Sequence, residues 1–565
     1  MSVIDWSIFI LVLAFFSFLG IFISQKNKNL KNFLVSDYDL PWYLVLIGVM
    51  STQASAITYL SLPGVGYTKG LEFIQFYFGL PFAILVVIFV FVPVYKKMQL
   101  VSIYTYLEKR FNTQTRIFVV ILFLLSRSLA TGIGIFAPAI VLSSILELPI
   151  FYVNILLGGI LIVYTSLGGA RAVSRTQIWQ FLLIILCVII TMALLVSKLS
   201  KFPNLNLSIA QISGKLHFVT SGFIDTKFDW KDKYNIWSGL IGGFFLQLSY
   251  FGTDQSQASR YLIGKNLKSI KLGLLLNGLI KIPFQIVILF LGILVFSYFN
   301  SSQESIYYNN EVKQIAYQTT YQPELKKLEQ QFNIYQEQEK FLINENKNDK
   351  KHLIEIIINQ KQDLKKQYTS ILQKAVPNED VNDSNFIFAH FITHNLPIGF
   401  IGFFMAMIFL AAWGAVAPAL HSLSQSTVLD IPEIFPKAQL SDKIKYKYLK
   451  ILTVFWGIFC VGVAEIANHL GSLIEAVNVI GSLFYGVILG VFLVGFFMPK
   501  ITGKSMFYNA IFIEIIVIIL FFLDRYQIIG LSFLWLNAIG CVALIIASYI
   551  SQTLSHFLSL NKRTS

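Results

Sequence analysis

The sequence predicts an all-α polytopic membrane protein with about 13 transmembrane helices, and three observations support that fold class. Apolar residues make up 55% of the chain and charged residues only 13%, which is far from the composition of an average soluble domain. Apolar runs of about 20 residues, the length that crosses a bilayer as a helix, recur along the chain. Two of these runs are interrupted by polar residues at corresponding places in successive halves of the sequence.

The two interrupted runs predict broken helices. In the first run, which ends at Tyr67, the interrupting residues are Ser51, Thr52, Gln53 and Ser55. In the second run, which ends at Gln257, they are Gln247, Ser249, Tyr250, Thr253 and Asp254. Unpaired backbone groups are costly in lipid, so a membrane helix breaks only where it lines protein or a wet cavity. The pair therefore indicates a secondary transporter with a site near the middle of the membrane.

The order of the apolar runs predicts the architecture. They lie near residues 6–24, 41–66, 72–98, 117–146, 150–167, 176–198, 235–256, 270–298, 396–424, 450–468, 471–498, 505–523 and 530–552. Without the first run and the last two, ten remain, and the broken helices are the first and the sixth of these. This five-plus-five order is the layout of inverted-repeat carriers with the LeuT-type architecture.

We therefore expect four regions. Residues 1–39 form an extra N-terminal transmembrane helix and a cytoplasmic loop, residues 40–200 the first five-helix repeat, and residues 234–500 the second repeat. Residues 501–565 form two C-terminal transmembrane helices and a short cytoplasmic tail. The polar segment 300–385 carries apolar residues at three-to-four spacing on both sides of a break at 344–350, which predicts an external helical hairpin. A contact between this hairpin and another protein is the alternative to a hairpin that packs on itself.

Charge and cysteine content exclude several classes of function. The net charge is +14, but the basic residues are concentrated in short alternate loops, as in cytoplasmic loops of membrane proteins, so we expect no nucleic-acid partner. This asymmetry places the N-terminus outside and the C-terminus in the cytoplasm, in the plasma (inner) membrane. Three scattered cysteines fit neither a disulfide framework nor a metal motif. No phosphate loop or nucleophile motif is present, so we expect neither an enzyme nor an organic cofactor.

Ionisable residues inside apolar runs are candidate functional residues. Arg127 either faces the transport path or caps backbone carbonyls at a helix crossing. Lys281 faces the solute, pairs with a carboxylate, or extends toward the membrane surface. Asp254 is expected to hold Arg260 structurally. His390 and His394 are spaced to share a helix face, but no further ligand lies at matching spacing, so a metal site there is the less favoured reading.

Several segments together resemble the solute:sodium symporter family, which includes sodium-coupled sugar, vitamin and monocarboxylate carriers. STQASAITYLSLPGVGY resembles the first broken helix of that family, and LGGARAVSRTQIWQ is similar to its GG…AV..TD..Q stretch. DQSQASRYL and EAVNVIGSLFYGVILGVFL resemble two later motifs in the same order. The resemblance covers nearly the whole chain except residues 300–385.

The resemblance implies two binding sites. The solute site would use the uncharged or basic side chains of Gln53, Thr58, Gln247, Tyr250, Lys281 and Asn478, with Tyr250 as an aromatic lid on the inner side. A sodium site would use backbone carbonyls at Ser51, Ala54 and Ala411 and two hydroxyl groups at positions that are Gly414 and Ala415 here. A helper aspartate of the family corresponds to Gln177. Two of about five oxygens are thus missing, and a hard cation needs several.

Three functions follow from this pattern as alternatives. The leading one is a sodium-driven symporter for a small organic solute in the lipid bilayer, with Arg127, Gln177, Asp254 and Arg260 in gating or structural roles. The second is a sodium-independent carrier, working with protons or as a uniporter. The third is a non-transporting sensor or scaffold in which residues 300–385 recognise the signal.

Overall fold

The computed structural model describes residues 1–25, 40–146, 148–200, 207–302, 304–344, 351–431 and 441–564, and most of these are helical. The loop expected after the first span and most of the break expected at 344–350 lie outside these residues. Among the described residues, nine helices are long and apolar enough to cross a membrane, or up to ten if one bent pair counts as a single span. The all-α polytopic class is confirmed, and the number 13 stays a prediction.

The first part of the chain contains both halves of the first broken helix. Its elements are α1 (Val3–Gln25), α2 (Trp42–Gln53), α3 (Ala56–Lys69), α4 (Glu72–Lys97, which begins as a 3₁₀ helix and contains a π-helical turn), α5 (Thr105–Arg110), α6 (Thr113–Leu146) and α7 (Ile150–Leu199). A short helix, α8 (Ser208–Ile212), and a small hairpin of β1 (Phe223–Ile224) and β2 (Lys227–Phe228) follow.

The second part contains the other broken helix and the insertion. Its elements are α9 (Gly243–Thr253), α10 (Gln255–Tyr261), α11 (Leu267–Ser301), α12 (Asn310–Tyr317), α13 (Gln322–Asn344), α14 (Lys351–Ala375), α15 (Ser384–Asn395), α16 (Phe400–Asp430), α17 (Asp442–Ile466), α18 (Leu473–Phe497), α19 (Gly503–Arg525) and α20 (Phe533–Thr564). A π-helical turn, Ser238–Gly242, leads into α9.

Two separately predicted spans, 150–167 and 176–198, are joined in α7, whose backbone stays helical from Ile150 to Leu199. The hydroxyl groups of Tyr164 and Thr176 are nevertheless 2.8 Å apart. Twelve residues of straight helix would separate these positions by about 18 Å. The chain therefore bends sharply between them, so α7 contains two arms at an angle to each other.

Close helix contacts fix the position of the first broken helix. A Cβ added to Gly292 of α11 would lie 2.0 Å from the carbonyl oxygen of Pro63 in α3, and one added to Gly66 would lie 2.2 Å from the carbonyl oxygen of Leu289. Small residues at such crossings let two backbones touch, the usual packing device of membrane helices. As a result α3 and α11, which both carry predicted solute residues, form one tightly packed pair.

The insertion forms a helical hairpin, with α13 packed against α14. Its apolar core includes Leu325, Phe332, Leu364, Tyr368 and Leu372, the residues whose spacing predicts the hairpin. A separate buried charge cluster attaches it to the transmembrane helices, because Lys361 and Lys365 of α14 contact Glu304 at 2.8 and 2.6 Å. The hairpin therefore packs on itself and on the end of α11.

Candidate solute-binding site

The first segment of the first broken helix, α2, ends at Gln53. Ala54 and Ser55 leave the helical conformation, with φ/ψ of −82°/73° and −86°/172°, and α3 continues at an angle of 65° to α2. The break leaves the Gln53 carbonyl without its helical donor, and the hydroxyl of Thr58 donates to it at 3.3 Å. Backbone and side-chain polar groups thus meet at mid-helix, as the sequence predicts.

The second break is a single residue, Asp254, with φ/ψ of −89°/119°. It lies seven residues beyond Gln247, at the last of the polar positions in the run. The Asp254 carboxylate caps α10, because it accepts hydrogen bonds from the backbone N–H of Ser256 at 2.8 Å and from the Ser256 hydroxyl at 2.5 Å. An aspartate at this position satisfies donors that a helix start leaves free.

A cavity of about 160 Å³ lies between the two broken helices. All six residues that the resemblance assigns to the solute line it: Gln53, Thr58, Gln247, Tyr250, Lys281 and Asn478. They come from five helices, α2, α3, α9, α11 and α18, so only the packed bundle brings them together. Their role in binding stays a prediction, but they share one cavity.

Other residues of the lining have no distinctive signal in the sequence. Phe76 and Tyr77 of α4 and Thr131 of α6 line the cavity, as does Tyr485 of α18. The Tyr485 hydroxyl donates to the Asp254 carboxylate at 3.2 Å. Aromatic residues in apolar runs are usually core residues, so nothing in the linear pattern separates Phe76, Tyr77 and Tyr485 from their neighbours.

Lys281 is the basic residue of this cavity that has neither a hydrogen-bond nor an ion-pair partner among the described residues. Its side chain is 4% exposed, and it makes neither a hydrogen bond nor an ion pair there. Its ammonium group lies 5.9 Å from the centre of the Tyr77 ring. Among the described residues, no aspartate or glutamate lines the cavity, so none of them provides a carboxylate to balance the ammonium group.

Arg127, the second basic residue of the lining, has a carboxylate that balances its positive charge. Its guanidinium Nη1 lies 3.5 Å from Oδ2 of Asp254. We expected Asp254 to hold Arg260, and this pairing was wrong: in the described residues the carboxylate faces Arg127 instead. The reason is the second break, which points the Asp254 side chain toward α6 rather than along its own helix.

Of the residues expected at the sodium site, some lie close together, but most provide no side-chain oxygen. The Ser51 carbonyl faces α16 close to Gly414, and Ala54 lies in the first break. Ala411, Gly414 and Ala415 provide no side-chain oxygen. Between these helices, Nε2 of Gln177 donates a short hydrogen bond to the Gly414 carbonyl and lies 3.5 Å from the Thr52 hydroxyl. The hydroxyl pair of the family is therefore absent, and an amide donor lies beside its place.

Contacts close the bundle at both ends of this cavity. At one end, the Ser61 and Ser472 hydroxyls are 3.4 Å apart, and Lys69 pairs with Glu475 at 3.2 Å. At the other, the fully buried Arg116 pairs with Asp430. These contacts join α3 to α18 at one end of the bundle and α6 to α16 at the other.

The two histidines do not assemble a metal site within the described residues. The rings of His390 and His394 stack with their centres 4.2 Å apart. The described ranges contain no group of three or more histidine, cysteine, aspartate or glutamate residues placed to hold a metal ion. All three cysteines are buried.

Comparisons with known proteins agree with this geometry. A sodium-dependent multivitamin transporter of Oryctolagus cuniculus is 24% identical over 88% of this chain and 67% of its own length. A sodium/sialic acid symporter of Aliivibrio fischeri is 22% identical over 94% of this chain and 89% of its own. A solved structure of a Na⁺-coupled sialic acid symporter superimposes with a TM-score of 0.74 at 21% identity, covering 98% of both chains.

The family assignment rests on the match to a family model. The model of the sodium:solute symporter family matches residues 33–323, more than half of the chain, including both broken helices and most of the cavity. Proteins of this family are membrane transporters and not enzymes. The chain therefore belongs to the sodium:solute symporter family.

Proposed function

We propose that this symporter-family protein carries a small organic anion across the membrane by alternating access to the central cavity. The observation that carries the proposal is Lys281, a buried ammonium group in a cavity to which the described residues contribute no carboxylate. An unpaired charge in a membrane protein interior is expensive, and such residues mark solute or ion pathways. A bound carboxylate supplies the missing partner, while the surrounding amides and hydroxyls provide orienting hydrogen bonds.

The size of the cavity suits a small solute. At about 160 Å³ it has room for several water molecules. A short monocarboxylate with few non-hydrogen atoms fits this space. A sodium-coupled monocarboxylate transporter of Mus musculus, 24% identical over 89% of this chain and 69% of its own length, supports the same class of solute.

The membrane setting is part of the proposal. Short lysine-rich and arginine-rich loops face the cytoplasm of the plasma (inner) membrane, which puts the N-terminus and residues 300–385 outside and the C-terminus inside. The five-helix repeats 40–200 and 234–500 then rock around the cavity. In that orientation Lys69–Glu475 closes the external path and Arg116–Asp430 closes the cytoplasmic path.

Sodium is the proposed coupling ion, and the sodium-independent carrier remains the second candidate. The observation that favours the second is specific: Gly414 and Ala415 lack hydroxyl groups, and the Gln177 amide donates to the Gly414 carbonyl. A donor beside the expected cation position disfavours a cation bound there in the manner that the resemblance implies. The two candidates differ in one measurable property, the response of uptake to a sodium gradient.

Uptake by the purified full-length protein in proteoliposomes tests the proposal. Radiolabelled propionate is compared with its uncharged isostere propionamide, under an inward sodium gradient and in choline. We expect uptake of propionate but not of propionamide, and Lys281→Met should reduce propionate uptake at least tenfold. Lys268→Met, an exposed lysine on the same helix, serves as the matched control and should transport normally.

Three other outcomes contradict parts of the proposal. Equal uptake of propionamide removes the role of Lys281 as a counter-ion. Equal propionate uptake with a sodium gradient and in choline favours the proton-coupled or uniport carrier. No uptake of propionate, lactate, pyruvate, nicotinate, glucose or inositol favours the sensor or scaffold.

A further inference from the structure

A second cavity, of about 770 Å³, lies on the side of the bundle that carries the helical hairpin. The end of α3, the start of α4, the segments 213–220 and 231–234, and Gln362 of α14 contribute to its lining. We call this cavity the vestibule. Among the described residues, none lines both the vestibule and the central cavity.

The vestibule has an excess of positive charge. Four lysines line it: Lys69, Lys215, Lys231 and Lys233. Two carboxylates of the lining, Glu72 and Asp232, and a third behind it, Glu475, offset three of these charges. One positive charge is left over among these groups, and a single carboxylate group would balance it. Clefts with one sign of charge concentrate ions of the opposite sign.

Lys215 is the buried lysine of the vestibule. It is 8% exposed, and its Nζ donates to the Thr68 carbonyl at 2.8 Å and lies 4.5 Å from the centre of the Phe296 ring. It makes no ion pair within the described residues, and burial, followed by the charge of Lys365, lowers its pKa to about 8. The Leu71 N–H donates to the Lys215 carbonyl at 2.9 Å, which fixes this residue at the end of α3. A buried charge without an opposite charge is costly, so its ammonium group is suited to an anionic ligand.

A second polar group of the lining also lacks a partner. The Ser213 hydroxyl is buried and makes no hydrogen bond among the described residues. It lies two residues before Lys215, and both residues line the vestibule. Buried polar groups are nearly always paired in folded proteins, so this hydroxyl is an independent sign of a ligand at the same place.

Glu475 occupies the other two lysines that reach the vestibule from the side of α18. Its carboxylate pairs with Lys69 at 3.2 Å and with Lys233 at 2.9 Å, and it accepts a hydrogen bond from the Tyr234 hydroxyl at 2.9 Å. Both lysine side chains are 43% exposed, whereas that of Glu475 is 18% exposed. Ion pairs with exposed partners are weak, so a second carboxylate in the vestibule can compete for these lysines.

We propose that the vestibule binds the carboxylate group of the solute before the solute enters the central cavity. The lysines of the lining hold the anion, which competes with Glu475 for Lys69 and Lys233. Glu475 lies in the first turn of α18, three residues before Asn478 of the central cavity. Its release therefore frees the contact between α3 and α18 that closes this end of the bundle. The class of anion rests on the proposed function, but the lysines of the vestibule are separate from Lys281.

Equilibrium binding of radiolabelled propionate to the purified full-length protein tests the vestibule. Lys281→Met removes the basic group of the central cavity, so the binding that remains in this variant reports on the vestibule. We expect Lys215→Met and Lys231→Met, each added to Lys281→Met, to weaken the remaining binding by about tenfold or more, since each removes a charged donor. Lys227→Met is the matched control, because Lys227 is an exposed lysine of β2 outside the lining, and it should leave this binding unchanged.

Glu475→Gln tests the competition, because it removes the charge and keeps the shape of the side chain. In the Lys281→Met protein we expect this substitution to tighten propionate binding by about threefold or more, since a weak ion pair no longer competes for the lysines. Glu311→Gln, at an exposed carboxylate of α12, should leave the binding unchanged. A purely structural role for Glu475 would weaken binding or leave it as it is.

The results separate this proposal from the proposed function. Absence of propionate binding to Lys281→Met overturns the vestibule site, as does binding that is unchanged by both Lys215→Met and Lys231→Met. Unchanged binding in Glu475→Gln overturns the competition. Propionate that binds to the vestibule but is not transported by the unsubstituted protein removes the proposed function and leaves the vestibule site standing.

Discussion

Arg127, which lines the central cavity, forms an ion pair with Asp254, with 3.5 Å between Nη1 and Oδ2. The pair joins α6 to the break of the second interrupted helix, two parts of the chain separated by more than 100 residues. Both side chains are almost completely buried. The break is therefore held open by a charge interaction as well as by its helix cap.

Asp254→Asn tests this ion pair. Asparagine keeps an oxygen for the cap on Ser256 but removes the charge, leaving Arg127 buried and unpaired. We expect a loss of about 3–5 kcal/mol in stability, the usual cost of removing one partner of a buried pair. The apparent unfolding temperature of the purified protein measures it.

Two further variants separate the effect of the ion pair from other effects of the Asp254→Asn substitution. In Arg127→Met with Asp254→Asn no charge is left uncompensated, so much of the lost stability should return. Asp442→Asn, at an exposed carboxylate, should change little. A double variant as unstable as Asp254→Asn alone would show that the cap, not the ion pair, dominates.

Lys361→Met tests how the insertion is attached. The Lys361 ammonium contacts Glu304 at 2.8 Å, Glu339 at 2.5 Å and the Asn300 side chain at 2.9 Å. The pKa of Glu304 is held below its ordinary range chiefly by Lys361 and Lys365 against the opposing effect of burial, and the pKa of Lys361 is raised by Glu304 and Glu339 despite its burial.

Removing this lysine leaves the buried carboxylate of Glu339 without its ion-pair partner and leaves Glu304 with Lys365 alone, so the hairpin should open more often. We expect faster cleavage within residues 300–385 by added protease, with the fragments identified by mass spectrometry. Lys366→Met is the matched control, because its side chain is 77% exposed and its pair with Asp363 is a surface pair of about 0–1 kcal/mol. Equal cleavage of both variants would contradict the anchoring role of Lys361.

Asp383, which precedes α15, gives the protein a predicted dependence on pH. Burial raises the pKa of its carboxyl from 3.8 to about 6, against a hydrogen bond from the backbone N–H of Tyr308. The folded state then holds a proton that the unfolded state releases, so stability from this group is present below pH 4 and lost as pH rises to about 6.

Asp383→Asn should remove this contribution and flatten the stability profile between pH 4 and 6. Unfolding temperatures of both proteins across that range check the prediction. Glu304, whose pKa is lowered, acts in the opposite sense and loses its stabilising effect as pH falls below about 4.5. Parallel profiles for the two proteins would show that Asp383 does not titrate in this range.

Gly292→Ala tests the contact between α3 and α11. The added Cβ would lie 2.0 Å from the Pro63 carbonyl oxygen, so the helices must separate and the packed core loses contacts. We expect a lower yield of folded protein and a lower unfolding temperature. Gly159→Ala, which meets open space, should be neutral, and equal behaviour of the two variants would exclude the close approach.

Much of the site could be predicted because its residues stand out locally. Gln53, Thr58 and Gln247 are polar residues in apolar runs, and Lys281 is a charge in one, so each is conspicuous without knowledge of its neighbours. The sequence did not identify Tyr77 and Tyr485, because they are aromatic residues in runs that contain several other aromatic residues. Their place in the cavity depends on the rotation of α4 and α18, which a linear pattern does not specify.

The amino-acid order by itself determined the helices, the two breaks and the set of polar residues between them, because hydrophobic run length and interruption are local properties. Only the tertiary structure decided that Asp254 pairs with Arg127 rather than Arg260, that α7 bends between Tyr164 and Thr176, and that the Gln177 amide donates to the Gly414 carbonyl. These contacts join residues far apart in the chain, and their geometry follows from close helix packing, in which a shift of an ångström changes the partner of a buried polar group.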